Sequence, residues 1–399
     1  MSKALAHVFF GSSTRSAASA GLNLLTTVLV VRWFGAETYA HYIVDLAMIS
    51  LLLIILEVVP SNYSMFRVQE DPAWQRSIAA QIALTVFIGT SVVFVTGHWG
   101  GLFQAYSLWM GLYAATMGIK RYLDIRLQSS GRLKEFMGIE FSTSAIRLAL
   151  LALSYLQGSD NNFAVWSSLA VATLLSQAIW FFRNPSELWA FTSFADIKAW
   201  RALAESSPAY PPYYFGIALK RLKDNFVPLV AERLFDSREL LAGFLLAYRG
   251  VIFAVGQVRI LEAMMNHRGS LAIAEKISLQ RRYMVATTAQ ALCLIASAAI
   301  LLSSGLRNLP WLPTLALSFM VWPIAFLVLE RAKAYSVFQA NRVNGSILAY
   351  LGAVFGGTLA LKLSGVASVT AFSLLLVAAE LAAFIVIKPR SKDSDAKTH

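Results

Sequence analysis

The sequence predicts an all-α, polytopic membrane protein, with about twelve transmembrane helices arranged in two six-helix lobes. Three observations lead there. Of 399 residues, 57% are hydrophobic and only 14% are charged, too little charge to cover a soluble protein of this size. Apolar runs recur along the chain, each of about 20 residues and so long enough to cross a hydrocarbon core of roughly 30 Å. The cations gather in alternate connections, so the net charge of +12 reads as one basic membrane face rather than a nucleic-acid surface.

The predicted spans, in order, are 12–33, 38–60, 77–98, 100–119, 138–157, 163–183, 209–231, 238–262, 282–304, 309–330, 346–364 and 367–387. The first is read as retained. "SAASAG" (16–21) looks like a signal-cleavage site, but "ALAHVFF" before it is too short for a signal-peptide core. Between the ninth and tenth spans, "SSGLRNLP" (303–310) must hold a turn. One set of connections carries Arg67 and Arg76; Lys120, Arg121, Arg126, Arg132 and Lys134; Lys198 and Arg201; Arg268, Lys276, Arg281 and Arg282; and Arg331, Lys333 and Arg342. The alternate connections "GHWGG" (97–101) and "QGSDNN" (157–162) carry no Lys or Arg, and in "ERLFDSRE" (232–239) acids balance the arginines. The positive-inside rule therefore puts both termini in the cytoplasm and requires an even number of spans. A single cysteine, Cys293, excludes an internal disulfide.

The expected domains are an N-terminal lobe over 1–195, a C-terminal lobe over 196–388 and a basic, polar cytoplasmic tail over 389–399. A half-chain repeat supports the division. "DNFVPLVAERLFDSRELLAGF" (224–244) lies over "NLLTTVLVVRWFGAETYAHYI" (23–43), matching Arg32 to Arg233 and Phe34 to Phe235. Two halves that both start in the cytoplasm are parallel repeats.

The seventh span is the anomaly. "GIALKRLKDNFVPLVAERL" (216–234) places Lys220, Arg221, Lys223 and Asp224 inside an apolar stretch. At about 100° per residue these four fall within an arc of roughly 160°, with apolar side chains opposite. Each Lys or Arg turned to mid-bilayer lipid would cost about 2.5–3.5 kcal/mol, so the charged face should meet a hydrated interior. The first span repeats the design with Ser12, Arg15, Ser16, Ser19, Asn23 and Thr26 at three- and four-residue steps. Further intramembrane charges are Asp45, Arg147 and Arg249, with Glu57, Glu262 and Glu330 nearer span ends.

Plainer readings stand beside this one. The lysines and arginine of the seventh span could snorkel to the headgroups. Arg147 could pair with Glu140, two turns away, and Asp45 with a neighbouring helix. The serines could simply let helices pack closely. If the charged faces do line a cleft, the cation excess selects an anion, and Arg matches phosphate in bidentate fashion. A diphosphate fits such a site, and a cationic drug fits it poorly. The candidate binding residues are then Arg15, Asn23, Lys220, Arg221, Lys223 and Arg249, with Asp45 and Asp224 as candidates for coupling to Na⁺ or H⁺. No catalytic residue, metal site or cofactor is expected. The five histidines are scattered with no HExxH spacing, and no GxxxxGK[ST] loop is present. No nucleic-acid module is recognisable.

The stretch "LLTTVLVVRWFGAETYAHYIVDLAMISLLLIILEVV" (24–59) resembles the opening of polysaccharide and O-antigen (Wzx-type) flippases of the MOP, MATE-like superfamily. Arg32, Phe34, Gly35, Glu37, Tyr39 and Tyr42 fit its helix-ending turn, while Ala40 stands where glycine is usual. "LKDNFVPLVAERLFDSRELLAGFLLAYRGV" (222–251) resembles the matching stretch of the second half through Asp224, Gly243, Phe244, Ala247 and Arg249. The resemblance implies two lobes facing each other in a V, in a bacterial inner membrane. It implies alternating-access transfer of a lipid-linked oligosaccharide, usually on undecaprenyl diphosphate, from inner to outer leaflet for O-antigen, capsule or exopolysaccharide synthesis. Partners would be that cargo, membrane lipids, and the polysaccharide polymerase and export machinery. The nearest alternative is a MATE-like multidrug or metabolite antiporter. A membrane-embedded polymerase, ligase or glycosyltransferase is further away, because no loop on the outer side is long enough for its chemistry.

Overall fold

The structure, a computed structural model, describes residues 3–53, 64, 68, 71, 74–99, 107–188, 196–206, 211–265, 279–304, 311–336, 340–366 and 368–387. These residues form helices and turns, with no strand among them. The first half contains α1 (Lys3–Phe34), α2 (Ala36–Leu52), α3 (Trp74–Trp99), α4 (Ser107–Ser129), α5 (Leu133–Leu156), α6 (Asn161–Arg183) and the short α7 (Pro185–Leu188). After α8 (Ile197–Ser206) come α9 (Pro211–Leu234), α10 (Arg238–Met265), α11 (Leu279–Ser304), α12 (Trp311–Ser318), α13 (Val321–Ser336), α14 (Ala340–Leu363) and α15 (Val369–Ile387). Six of the described helices are long and apolar enough by themselves to cross a membrane: stretches of α1, α5, α6, α11, α14 and α15. Helix α9 is as long as these, but its charges dilute its apolarity.

The packing repeats. In the first half α1 lies on α5, α5 on α6, α3 on α4 and α4 on α6. In the second half α9 lies on α14, α14 on α15, α11 on α12 and α13, and α13 on α15. These are two six-helix lobes of the same design, with α12 and α13 together forming the broken tenth span. Pro313 and Pro323, which cannot donate backbone hydrogen bonds, flank that break at Phe319–Met320.

The lobes meet through α1 against α10 and α11, and through α2 against α9 and α10. Each lobe opens with a helix, a tight turn and a second helix. Gly35 turns the first with φ 93° and ψ 158°, a conformation essentially limited to glycine. The matched phenylalanines of the repeat, Phe34 and Phe235, are both buried in one apolar cluster that also holds Tyr39, Ile43, Leu241 and Phe244. That cluster continues through the second lobe as far as Ala334, Val343 and Ile387. The first lobe keeps a separate cluster around Trp74, Ile78, Tyr122 and Trp180.

Several expected boundaries move. Helix α4 runs over 107–129 instead of 100–119, so Lys120, Arg121 and Arg126 lie on a helix and not in a loop. Helix α5 starts at Leu133 instead of 138. Arg331, expected in a loop, belongs to α13. Several charges there find partners inside the bundle, which lets a helix continue past the point where hydropathy falls. Arg126 donates to Glu187 at 3.1 Å, and the same carboxylate accepts from Gln75 at 2.8 Å and Tyr122 at 2.9 Å. Arg132 holds Glu135 and Asn184, and Arg342 donates to the Ile387 carbonyl at the last turn of α15. The predicted tail 389–399, the 305–310 turn and Glu57 lie outside the described residues.

Candidate functional site

The charges of α9 divide between two environments. Arg221 and Lys223 are two residues apart, hence roughly 160° apart around the helix. Lys223 turns into its own lobe. Its Nζ donates to Glu380 Oε2 of α15 at 2.7 Å and lies 4.2 Å from the centre of the Tyr350 ring on α14. Both members of the pair are buried, at 8% and 2% exposure. Arg331 of α13 is within electrostatic range of this pair, with Nε and Nη2 buried and no hydrogen-bond partner. Arg221 turns the other way, toward the first lobe, within electrostatic range of Tyr113 and Asp124 on α4. Helices α4 and α9 share no extensive packing, and the guanidinium is a long-range neighbour of α4.

The first lobe builds the facing wall from α4 and α5. Tyr113, Lys120 and Asp124 share a face of α4, at spacings of seven and four residues. Lys120 forms an ion pair with Glu140 of α5, and both side chains are partly open to solvent at 28% and 29%. Asp124 feels Lys120, Glu140 and Arg121 from its own lobe and Arg221 from the other. Nearer the turn end, Arg147 of α5 donates to the Tyr42 hydroxyl of α2 at 3.0 Å and lies 5.2 Å from the centre of its ring. Arg249 of α10 stands beside Tyr39, in the same electrostatic neighbourhood as Arg147 and Tyr42. Five cations and two carboxylates are thus electrostatic neighbours where the lobes face each other: Lys120, Arg121, Arg147, Arg221 and Arg249 with Asp124 and Glu140.

Among the predicted binding residues, the structure brings Arg221 and Arg249 to this group and sends Lys223 to Glu380. Arg15 is exposed and donates to the Lys134 carbonyl at 2.8 Å, at the start of α5. Asn23 is exposed, and its carbonyl accepts from Thr27 at 2.8 Å. Ser19 of the same stripe packs on α5, its hydroxyl 3.0 Å from that of Ser144. Lys220 is partly buried and Asp224 exposed, and both have interaction partners of their own. Asp45 faces Glu232 of α9 across the lobe seam, so the neighbour in electrostatic range is another carboxylate. Glu232 is held in turn by Arg238 at 3.1 Å. The alternative Arg147–Glu140 pairing does not form: Arg147 holds Tyr42 and Glu140 holds Lys120.

Lys120, Arg121 and Asp124 were missed as site residues because hydropathy treats four charges within "IKRYLDIR" as a loop. The available signal was helical spacing, which puts Tyr113, Lys120 and Asp124 on one stripe.

Neither a family model nor a curated protein sequence matches the chain. Solved structures do match along nearly its whole length. A MOP superfamily transporter from Pyrococcus furiosus, for which a binding pocket of reversed polarity suggests a different function, aligns with TM-score 0.69 at 12% identity over 95% of this chain and 93% of its own. An outward-facing multidrug resistance MATE family transporter aligns with TM-score 0.65 at 12% identity over 95% and 93%. A Vibrio cholerae MATE transporter aligns with TM-score 0.64 at 13% identity over 99% and 98%. The fold is that of MATE and MOP superfamily transporters, and the chain is a multi-pass membrane protein.

Proposed function

We propose that the protein is a transporter whose inter-lobe cleft carries an anionic, lipid-linked cargo: an oligosaccharide on a polyprenyl diphosphate, passed from inner to outer leaflet by alternating access. The observation that supports this reading best is the pair Arg221 and Arg249. Both belong to the second lobe, both face the first, and neither has a carboxylate within ion-pairing distance among the described residues. A guanidinium left in that condition is prepared for a ligand that brings its own negative charge. The diphosphate would sit between Arg221 and Arg249, with Lys120 and Arg147 contributing from the facing wall. The lipid tail would remain in the bilayer beside the gap between lobes. Closing the terminal end and opening the turn end would release the headgroup. With both termini in the cytoplasm of a bacterial inner membrane, about two negative charges leaving a negative-inside cell would gain roughly 4–5 kcal/mol per 100 mV across the full field. Coupling to an ion, if present, is assigned to Asp45 at the lobe seam rather than to Asp224.

A multidrug antiporter is the second reading, favoured by the MATE neighbours. The cation excess in the cleft weighs against a positively charged drug. The test is complementation of a deletion strain with Arg221→Ala and Arg249→Ala variants at equal protein levels. Export of the surface glycan should fall at least about tenfold for each, the loss expected from removing one charge-assisted contact of about 1.5–3 kcal/mol. Normal export by both variants would refute the assignment, and efflux of a cationic dye would favour the antiporter.

A further inference from the structure

Beside the broken tenth span, the surface of the second lobe is hollowed. Helices α11 and α12 leave between them an open groove of about 680 Å³, in the range of pockets that hold small ligands. Leu294, Ile295 and Ala298 of α11 line one side and Trp311, Leu312 and Leu315 of α12 the other, with Thr314 the one polar residue of the lining. Ile295 and Leu312 are 65% and 60% exposed. The α11 stretch Tyr283–Ile300 is apolar and long enough to cross a membrane, so the groove opens to hydrocarbon. Each side is about one helical turn tall, roughly 6 Å, which suits a short length of chain and not a whole lipid.

Contacts with α10 fix the depth of the groove. Ser297, between the groove residues Ile295 and Ala298, donates from its hydroxyl to the Ala247 carbonyl at 3.4 Å, and Gly250 lets the two helices close up at that point. Arg249 lies between those two contacts, eleven residues into α10. At 1.5 Å per residue that is about 16 Å along the helix, near the middle of a hydrocarbon core of roughly 30 Å. Leu294, Ala298 and Ile295 stand about 60°, 100° and 160° round α11 from Ser297. The groove therefore lies on the flank of α11, at the level of Arg249. Helix α11 also meets α1 of the first lobe at the seam.

We infer that this groove holds part of the prenyl chain of the cargo while the phosphates are at Arg249. This rests on the lipid-diphosphate reading and adds to it a site for the lipid. A bilayer phospholipid keeps its phosphate at the membrane surface, and its chains gain little by exchanging lipid for an equally apolar groove. A chain tethered to phosphates held at the groove's own depth binds intramolecularly, at an effective concentration in about the millimolar range. The first isoprene units span about 10–12 Å, the diameter of α11, and those that follow fill the groove. Chain length thus enters recognition as a threshold: a chain too short to round α11 is held by its phosphates alone.

The experiment irradiates full-length protein in phosphatidylcholine nanodiscs with geranylgeranyl diphosphate carrying a diazirine on its last isoprene unit, and identifies the labelled peptides by mass spectrometry. Label should fall within 294–298 and 311–315. Excess geranylgeranyl diphosphate should remove it. Equal excesses of phosphatidylglycerol, or of geranylgeraniol, which has the chain without the phosphates, should not. Arg249→Ala should lower groove labelling about tenfold. Ala298→Trp, which puts a bulky side chain in the groove, should lower it as much while binding the shorter geranyl diphosphate like the wild type. Leu315→Trp is the second variant should the first not fold. The inference is overturned if phosphatidylglycerol or geranylgeraniol removes the label equally, if label is confined to other peptides, or if the groove-filling variants keep it. In each of those cases the diphosphate reading stands as long as Arg249→Ala weakens geranyl diphosphate binding. If Arg249→Ala changes neither labelling nor binding, or if the wild type binds no prenyl diphosphate, both fail together.

Discussion

Lys223 and Arg221 stand two residues apart on α9, and their opposite directions set their roles. Lys223 is a cation in a buried pair with Glu380, where removing one partner leaves the other charge without compensation. Such losses are about 3–5 kcal/mol, whereas replacing both partners by apolar residues of similar volume is often neutral. Lys223→Met and Glu380→Gln should therefore each lower the thermal unfolding temperature in detergent markedly, with the double variant Lys223→Met/Glu380→Met recovering most of the loss. Affinity for farnesyl diphosphate, measured per folded molecule, should stay near wild type in all three. Arg221→Ala should do the reverse, leaving the unfolding temperature almost unchanged and weakening the probe. A stable Lys223→Met protein that no longer binds would return Lys223 to the ligand site.

At the scale of elements, the opening helix pair of each lobe depends on a sharp turn and on close helix approach. Gly35 holds φ 93°, where any side chain is strained, although the space around it is open. Gly35→Ala should destabilise by about 1–3 kcal/mol through backbone strain alone, seen as a lower unfolding temperature with unchanged probe affinity. Gly250, next to Arg249, is where α10 meets α11. A Cβ there would fall 2.0 Å from Ser297 Oγ and 3.1 Å from the Ser297 backbone nitrogen. Gly250→Ala should thus push α11 away and disturb Arg249, lowering stability and binding together. Span number, lobe repeat and the helix–turn–helix openings were legible in the sequence because long apolar runs and glycine turns are local signals. The extent of α4 was not. Lys120 and Asp124 read as solvated until the partners on α5 and α9, far along the chain, are in view. The fate of Lys223 was hidden for the same reason. A helical wheel restricts it to an arc, but only the packing of α15 decides which edge of that arc is core.

As a whole, the molecule is two lobes sharing an apolar seam, with basic side chains of both lobes beside it. Alternating access requires that seam to part. Asp45 and Glu232 face each other across it, one from each lobe. The single native cysteine, Cys293, is buried, so a cysteine-free background is within reach. A thiol-reactive, reducible cross-linker joining Asp45→Cys to Glu232→Cys should stop transport and release it on reduction. Continued transport by the cross-linked protein would mean that the lobes do not separate at this seam.

The most direct measurement reconstitutes the protein in vesicles and follows a fluorescent polyprenyl-diphosphate sugar from one leaflet to the other. Wild-type protein should raise the crossing rate well above that of empty vesicles, and the Arg221→Ala/Arg249→Ala double variant should return it to that background. Equal rates for the double variant and the wild type, or no acceleration by either, would contradict a cleft that carries its cargo by the phosphates.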